Sequence, residues 1–291
     1  MPISSWTLDV TGLGPIKKAE IEVRPLTLLV GENSTGKSYL ATLLWGLAQT
    51  QRVNPGLIPA ANEPMYGQID QWMEKSSYQF SLSNESLRRF FELANPMLAR
   101  MKRQFVAKLF NSALVAADNI RLRSSLGQSD SDPQIISLIE RAEVHPREYL
   151  HRLRFSLMLN HALGLGGDFT AKYLPASRTG FMLTYESVVR QSLDSSFSES
   201  DADDTPAATA RTRLTRPTIE FLKLLATGAD DRSGFVAEAE ALEEALGGEI
   251  VKHSRAGFNQ YEYRMKGASV ALPMSIVSTV VSELAPIVLV L

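Results

Sequence analysis

Residues 31–38 read GENSTGKS, the spacing Gly-x-x-x-x-Gly-Lys-Ser/Thr of a phosphate-binding loop. The chemistry follows from the residue types. Glycines let the backbone curl so that successive N–H groups converge on a phosphate, and a helix starting after the loop adds its positive end. Lys37 is spaced to reach β- and γ-phosphate oxygens, and the Ser38 hydroxyl to ligate Mg²⁺. The expected nucleotide-contacting set is Gly31, Glu32, Asn33, Ser34, Thr35, Gly36, Lys37, Ser38 and Tyr39, with Ser38 as the metal ligand.

Hydrolysis requires more than a grip on phosphate. A carboxylate at the end of a neighbouring apolar strand must hold Mg²⁺ and polarise water. Downstream of Ser38, no run of four apolar residues followed by Asp or Glu fits that role. SLIE (137–140) lies in a polar, helical neighbourhood, GGEIVKH has the wrong order, and the closing APIVLVL has no acid after it. No catalytic residue is therefore assigned. His145, His151 and His161 are spaced by six and ten without an HExxH pattern, and no Gly-x-Ser-x-Gly elbow is present. With no cysteine, disulfides and thiolate metal sites are excluded.

The loop needs a strand before it and a helix after it. PLTLLV (25–30) is apolar on both faces, as expected of a central strand covered by helices. SYLATLLWGLAQ from Ser38 has Leu40, Leu43, Leu44 and Leu47 at helical spacing. Upstream, Trp6, Leu8 and Val10 alternate with polar residues, GLGP turns, and Ala19, Ile21 and Val23 alternate again, which predicts a half-buried hairpin. Residues 51–168 have a mostly helical texture with breaks at Asn95-Pro96 and 127–133. Then DFTAKYLPASRTG (168–180) predicts a strand leaving into a loop, followed by a helix over 183–193. The acidic, small-residue stretch 195–210 predicts a loop. Helices are expected at 218–226 and 235–246, the second stopped by Gly247-Gly248. A hairpin of EIVKH and FNQYEYRM comes next, and a short strand and a helix close the chain.

Bulk composition sets outer limits. The chain has 291 residues, 44% of them hydrophobic, and a net charge of −2, so no global attraction to nucleic acid or anionic membrane follows. The N-terminus lacks the basic and apolar regions of a signal peptide. The apolar C-terminal segment carries Glu283 and Pro286 and falls short of the roughly 20 residues of a span. These features predict a soluble, cytoplasmic protein. Residues 85–125 are locally basic, with Arg88, Arg89, Arg100, Lys102, Arg103, Lys108, Arg121 and Arg123, and are a candidate nucleic-acid surface or simply a solvated face.

Three stretches carry a family resemblance. LDVTGLGPIKKAEIEVRPLTLLVGENSTGKS resembles the head of SMC-like, ABC-type predicted ATPases, the group that includes RecF-like and OLD-like proteins. KYLPASRTG (172–180) resembles that group's strand-and-loop, and MSIVSTVVSELAPIVLVL (274–291) resembles the segment standing in place of its signature. The resemblance implies an α/β P-loop NTPase head formed by 1–50 and 169–291, interrupted by a mostly helical insertion over 51–168. It implies ATP and Mg²⁺ as bound species and a homodimer closing around nucleotide, with Ser278 and Thr279 contacting the partner's nucleotide. A DNA-directed or phage-defence effector, such as a nuclease, would accompany it. Ser278 has the competing role of a helix N-cap. Arg178 becomes a candidate phosphate sensor, or else pairs with a carboxylate, and Gln191 is a lesser candidate for the Q-loop role. Because the group's acidic strand follows the signature helix, the resemblance also implies a sequence continuing past Leu291. Alternatives are a nucleotide-binding regulatory module without hydrolysis, and a P-loop kinase; a GTPase lacks its Asn-Lys-x-Asp motif here.

Overall fold

The computed structural model describes residues 6–24, 27–49, 79–82, 84–124, 134–137, 155, 158–159, 163, 171–184, 214–228, 235–255 and 258–291. The chain is a mixture of helices and antiparallel sheets forming two compact units, Met1–Ala171 and Lys172–Leu291.

In the first unit, β1 (Trp6–Leu13) and β2 (Ile16–Val23) form the expected hairpin, with Leu13 opposite Ile16 across a two-residue turn. Trp6, Leu8 and Val10 are buried, while Thr7, Asp9 and Thr11 face outward. α1 (Lys37–Ala48) follows the glycine-containing turn of 31–36. β3 (Gln79–Leu82) precedes α2 (Asn84–Phe110), and β4 (Asn119–Ser124) lies on the free edge of β1 to give the order β2-β1-β4. β5 (Gln134–Ser137) pairs with β3. The strand β4 is an element that local helical patterning around it conceals.

Buried Phe90, Phe91, Met97, Leu98, Phe105, Val106 and Leu109 of α2 belong to the same core as Leu8, Ile120 and Leu122. Asn95 ties α2 to the sheet, its amide donating to Leu122 O and accepting from Leu122 N, both at 2.8 Å. Those two bonds satisfy a strand edge that has no further strand beside it among the described residues. The break expected at Asn95-Pro96 does not occur: α2 runs through Pro96, whose ring lies on the exposed face. Burial on both sides of the proline holds a helix that local propensity disfavours.

The second unit holds α3 (Arg216–Thr227), α4 (Val236–Leu246), β6 (Gly248–Arg255), β7 (Phe258–Met265), β8 (Leu272–Pro273) and α5 (Thr279–Val288). These match the expected helices, hairpin, short strand and closing helix. Its core joins Phe221, Leu222 and Leu225 of α3 to Ile250, Tyr261 and Tyr263 of the hairpin and Val281, Ala285 and Val288 of α5. Two phenols finish helix ends: Tyr261 donates to Leu225 O at 2.8 Å and Tyr263 to Leu246 O at 2.7 Å. Residues 171–175, expected as a strand, form none, and 178–184 is helical instead. Residues 195–210, most of 183–193, the break at 127–133, Gln191, His145, His151 and His161 lie outside the described residues.

Candidate functional site

The 31–36 loop sits between an extended lead and the N-terminus of α1. Gly36 caps the helix in the left-handed region at φ +97°, and Ser34 also has positive φ, at +63°. Alternating conformations of this kind turn successive amides to one side and make a concave anion nest. Leu40 N donates to Gly36 O at 3.0 Å, which starts the helix. Among the described residues, the backbone amides of 33–39 have no acceptor. Residues 31–35 and Ser38 are exposed, Lys37 and Tyr39 half-buried and Gly36 buried.

Lys37 folds back over the loop, donating Nζ to Gly31 O at 2.8 Å and to Glu32 O at 2.5 Å. Thr35 Oγ1 donates to Glu32 O at 2.9 Å and braces the same turn. The ammonium is thus held on the loop by carbonyls alone, weaker partners for it than a phosphate oxygen. Ser38 makes no hydrogen bond among the described residues, leaving its hydroxyl open to a cation. No group of three or more His, Asp or Glu side chains there could hold a metal ion. Such a donor set could receive an anion, and the Ser38 hydroxyl could take part in holding a divalent cation beside it.

The seat of this loop is the β1–β2 turn, which motif spacing does not reveal. A Cβ built on Gly36 would lie 2.8 Å from Ile16 Cδ1 and 3.3 Å from Pro15 Cγ. One built on Gly14, at φ +54°, would lie 2.7 Å from Tyr39 Cδ1. Glycine is therefore required twice where hairpin and loop meet. Tyr39, expected among the nucleotide contacts, stacks on Phe110 with ring centroids 4.8 Å apart, so its ring is engaged in packing. The signal that could have found this seat is GLGPI itself, a Gly-rich turn ending in an apolar residue.

The lead into the loop departs from expectation. Residues 27–30 form no strand, and Leu28 and Val30 are 76% and 91% exposed. Thr27 is bonded locally instead, accepting from Arg24 N at 2.9 Å and donating to Arg24 O at 3.1 Å. A strand that is apolar on both faces needs neighbours at its edges and cover on both sides, and the described residues supply neither.

In the second unit the structure brings together two stretches singled out separately. Arg178, in the PASRTG segment, donates Nε to Glu283 O of α5 at 3.0 Å. Its acceptor is a backbone carbonyl and not the carboxylate anticipated as its alternative partner. Ser278 is the N-cap of α5, its Oγ accepting from Val281 N at 3.4 Å, and Thr279 is exposed in the first turn. Val270, Ile276 and Val280 around this helix start are also exposed.

Two other arrangements define the electrostatics. Arg123 bridges Asp9, with Nε to Oδ2 at 2.5 Å, and Glu20, with Nη2 to Oε1 at 2.6 Å, across all three strands of the first sheet. Hydrogen bonding to Asp9, then to Glu20, raises its pKa beyond the ordinary guanidinium value. Burial raises the Tyr261 phenol to about 12, partly offset by its hydrogen bond with Asn259. No described helix is long and apolar enough to cross a membrane. Comparison with protein-family models, with curated proteins and with solved structures finds no match for this chain.

Proposed function

We propose that residues 31–39 bind ATP with Mg²⁺, and that the chain is the nucleotide-binding head of an SMC-like, ABC-type P-loop protein. The observation that carries this reading is the row of amides 33–39 without acceptors, beside a Lys37 ammonium held only by two loop carbonyls. Unsatisfied donors at a helix start and a cation held only by backbone carbonyls together favour a polyanion. On binding, Lys37 exchanges Gly31 O and Glu32 O for phosphate oxygens, the amides bond the phosphate between them, and Ser38 ligates the metal. Mg²⁺ supplies charge neutralisation of the polyphosphate.

The resemblance extends the proposal to a head-to-head homodimer in which Ser278 and Thr279 approach the partner's nucleotide. ATP would then act as a closing switch for a DNA-directed or phage-defence effector. Arg178 would act on that switch through α5, whose Glu283 carbonyl it holds. The chain offers no carboxylate at the end of an apolar strand after Ser38, so it is proposed to bind ATP and to turn it over slowly.

Calorimetric titration with ATP and Mg²⁺ tests the central statement. Lys37→Ala, whose side chain is half-buried at the loop, is expected to weaken binding by on the order of 100-fold or more. Equal affinity of the two proteins would remove the loop as the binding site. Phosphate release above about one per minute would show that a catalytic carboxylate exists elsewhere in the chain.

A further inference from the structure

Taking residues 31–39 as the ATP site of the reading above, we propose that Tyr39 and Phe110 are positioning residues for it, through which the end of α2 sets nucleotide affinity. Tyr39 lies in the first turn of α1, the turn that also carries Lys37 and Ser38. Its ring stacks on Phe110, with centroids 4.8 Å apart and planes inclined by 27°. The same ring meets the β1–β2 turn, since a Cβ built on Gly14 would lie 2.7 Å from Tyr39 Cδ1 and 3.0 Å from Tyr39 Cζ. The Tyr39 hydroxyl makes no hydrogen bond among the described residues, so the ring alone provides the hold.

The other side of this contact is fixed. Phe110 is 8% exposed and its neighbour Leu109 is wholly buried. Gly46, two turns after Tyr39 on the same face of α1, is the second point of contact. A Cβ added there would lie 2.5 Å from Leu109 Cδ1. Beyond Phe110 the helix stops at Asn111, with φ +49°, and Ser112 N donates to Ala107 O at 3.0 Å. Asp118 N then donates to Thr11 O at 2.8 Å, which ties the segment after α2 to β1. The first turn of a helix lacks the preceding turn that would accept its N–H bonds, and it frays. Here that turn holds the last amides of the 33–39 row. With Tyr39 clamped, the turn is ordered before nucleotide arrives. Without the stack, ATP must order it on binding, and that ordering subtracts from affinity. Phe110 is buried, so its influence on ATP passes through Tyr39.

Calorimetric titration of the full chain with ATP and Mg²⁺, paired with urea unfolding of each variant, separates positioning from bulk stability. Phe110→Leu and Tyr39→Leu should each weaken ATP binding about threefold to tenfold. The double variant should lose no more than either alone, because both substitutions remove one contact. Tyr39→Phe keeps the ring and should recover the affinity that Tyr39→Leu loses. Phe110→Met, a milder change, should weaken binding in the same direction while keeping the wild-type circular dichroism. Phe105→Leu, at a wholly buried position of the same helix, should lower the urea midpoint yet leave ATP affinity within about twofold. Wild-type affinity in Phe110→Leu and Phe110→Met would overturn the positioning role, as would an equal loss in Phe105→Leu or additive losses in the double variant. Those outcomes leave ATP binding by the loop standing. Failure of the wild-type chain to bind ATP would instead remove the loop as the site, and this role with it.

Discussion

Gly36→Ala tests whether the β1–β2 turn is the seat of the 31–38 loop. The perturbation is a single methyl group. At φ +97° an L-residue is strained, at about 1–2 kcal/mol. The added Cβ would also lie 2.8 Å from Ile16 Cδ1 and 3.3 Å from Pro15 Cγ, and Ile16 is buried at 7% exposure with little room to yield. Overpacking of this kind costs about 1–3 kcal/mol, so the total is about 2–5 kcal/mol. For a unit of this size each kcal/mol is worth about 2–4 °C, so Tm should fall by roughly 5–15 °C. The assay is urea unfolding of wild type, Gly36→Ala, Ile16→Ala and the double variant. Ile16→Ala removes the nearest atoms the new methyl meets, leaving only Pro15 Cγ at 3.3 Å, so in that background Gly36→Ala should cost little beyond the backbone strain. The coupling between the two sites is then about 1–3 kcal/mol. Strict additivity would refute the contact between hairpin and loop, and an unchanged midpoint for Gly36→Ala would refute the left-handed conformation as well.

Two further outcomes concern the second unit. Tyr261 is protonated in both states below about pH 10, and its folded value of about 12 means the unfolded chain releases its proton first. Stability should hold up to about pH 10 and fall by on the order of 2 kcal/mol between pH 10 and 12, a decline that Tyr261→Phe abolishes; urea midpoints across that range check it. Ser278→Ala should cost about 1 kcal/mol through loss of the α5 cap, whereas Ser278→Asp should retain stability, and equal midpoints for all three proteins would exclude the cap.

Much of this structure could be read one residue after another. Trp6, Leu8 and Val10 against Ala19, Ile21 and Val23 announce a hairpin because a period of two and a Gly-Pro turn act between neighbours in the chain. The same holds for Ile250 against Tyr263 on β6 and β7, and for α4 ending at Gly247. The spacing of 31–38 led to an expected loop running into a helix, and α1 does begin at Lys37 after a turn with positive φ at Ser34 and Gly36.

Tertiary structure decided what depends on distant partners. β4 lies against β1 across more than a hundred residues, and nothing local to Asn119–Ser124 marks that pairing. Pro96 remains inside α2 because Phe90, Met97 and Phe105 are buried around it and Asn95 is fastened to Leu122. Conversely Thr27–Val30 has a strand's composition without a strand's neighbours among the described residues, and Leu28 and Val30 stand in solvent. Arg178 found a carbonyl of α5, and Gly14 and Gly36 proved to be sites of close approach between hairpin and loop. Composition and spacing determine which groups can meet a phosphate. Which neighbours brace those groups is set by packing between segments that share no local pattern.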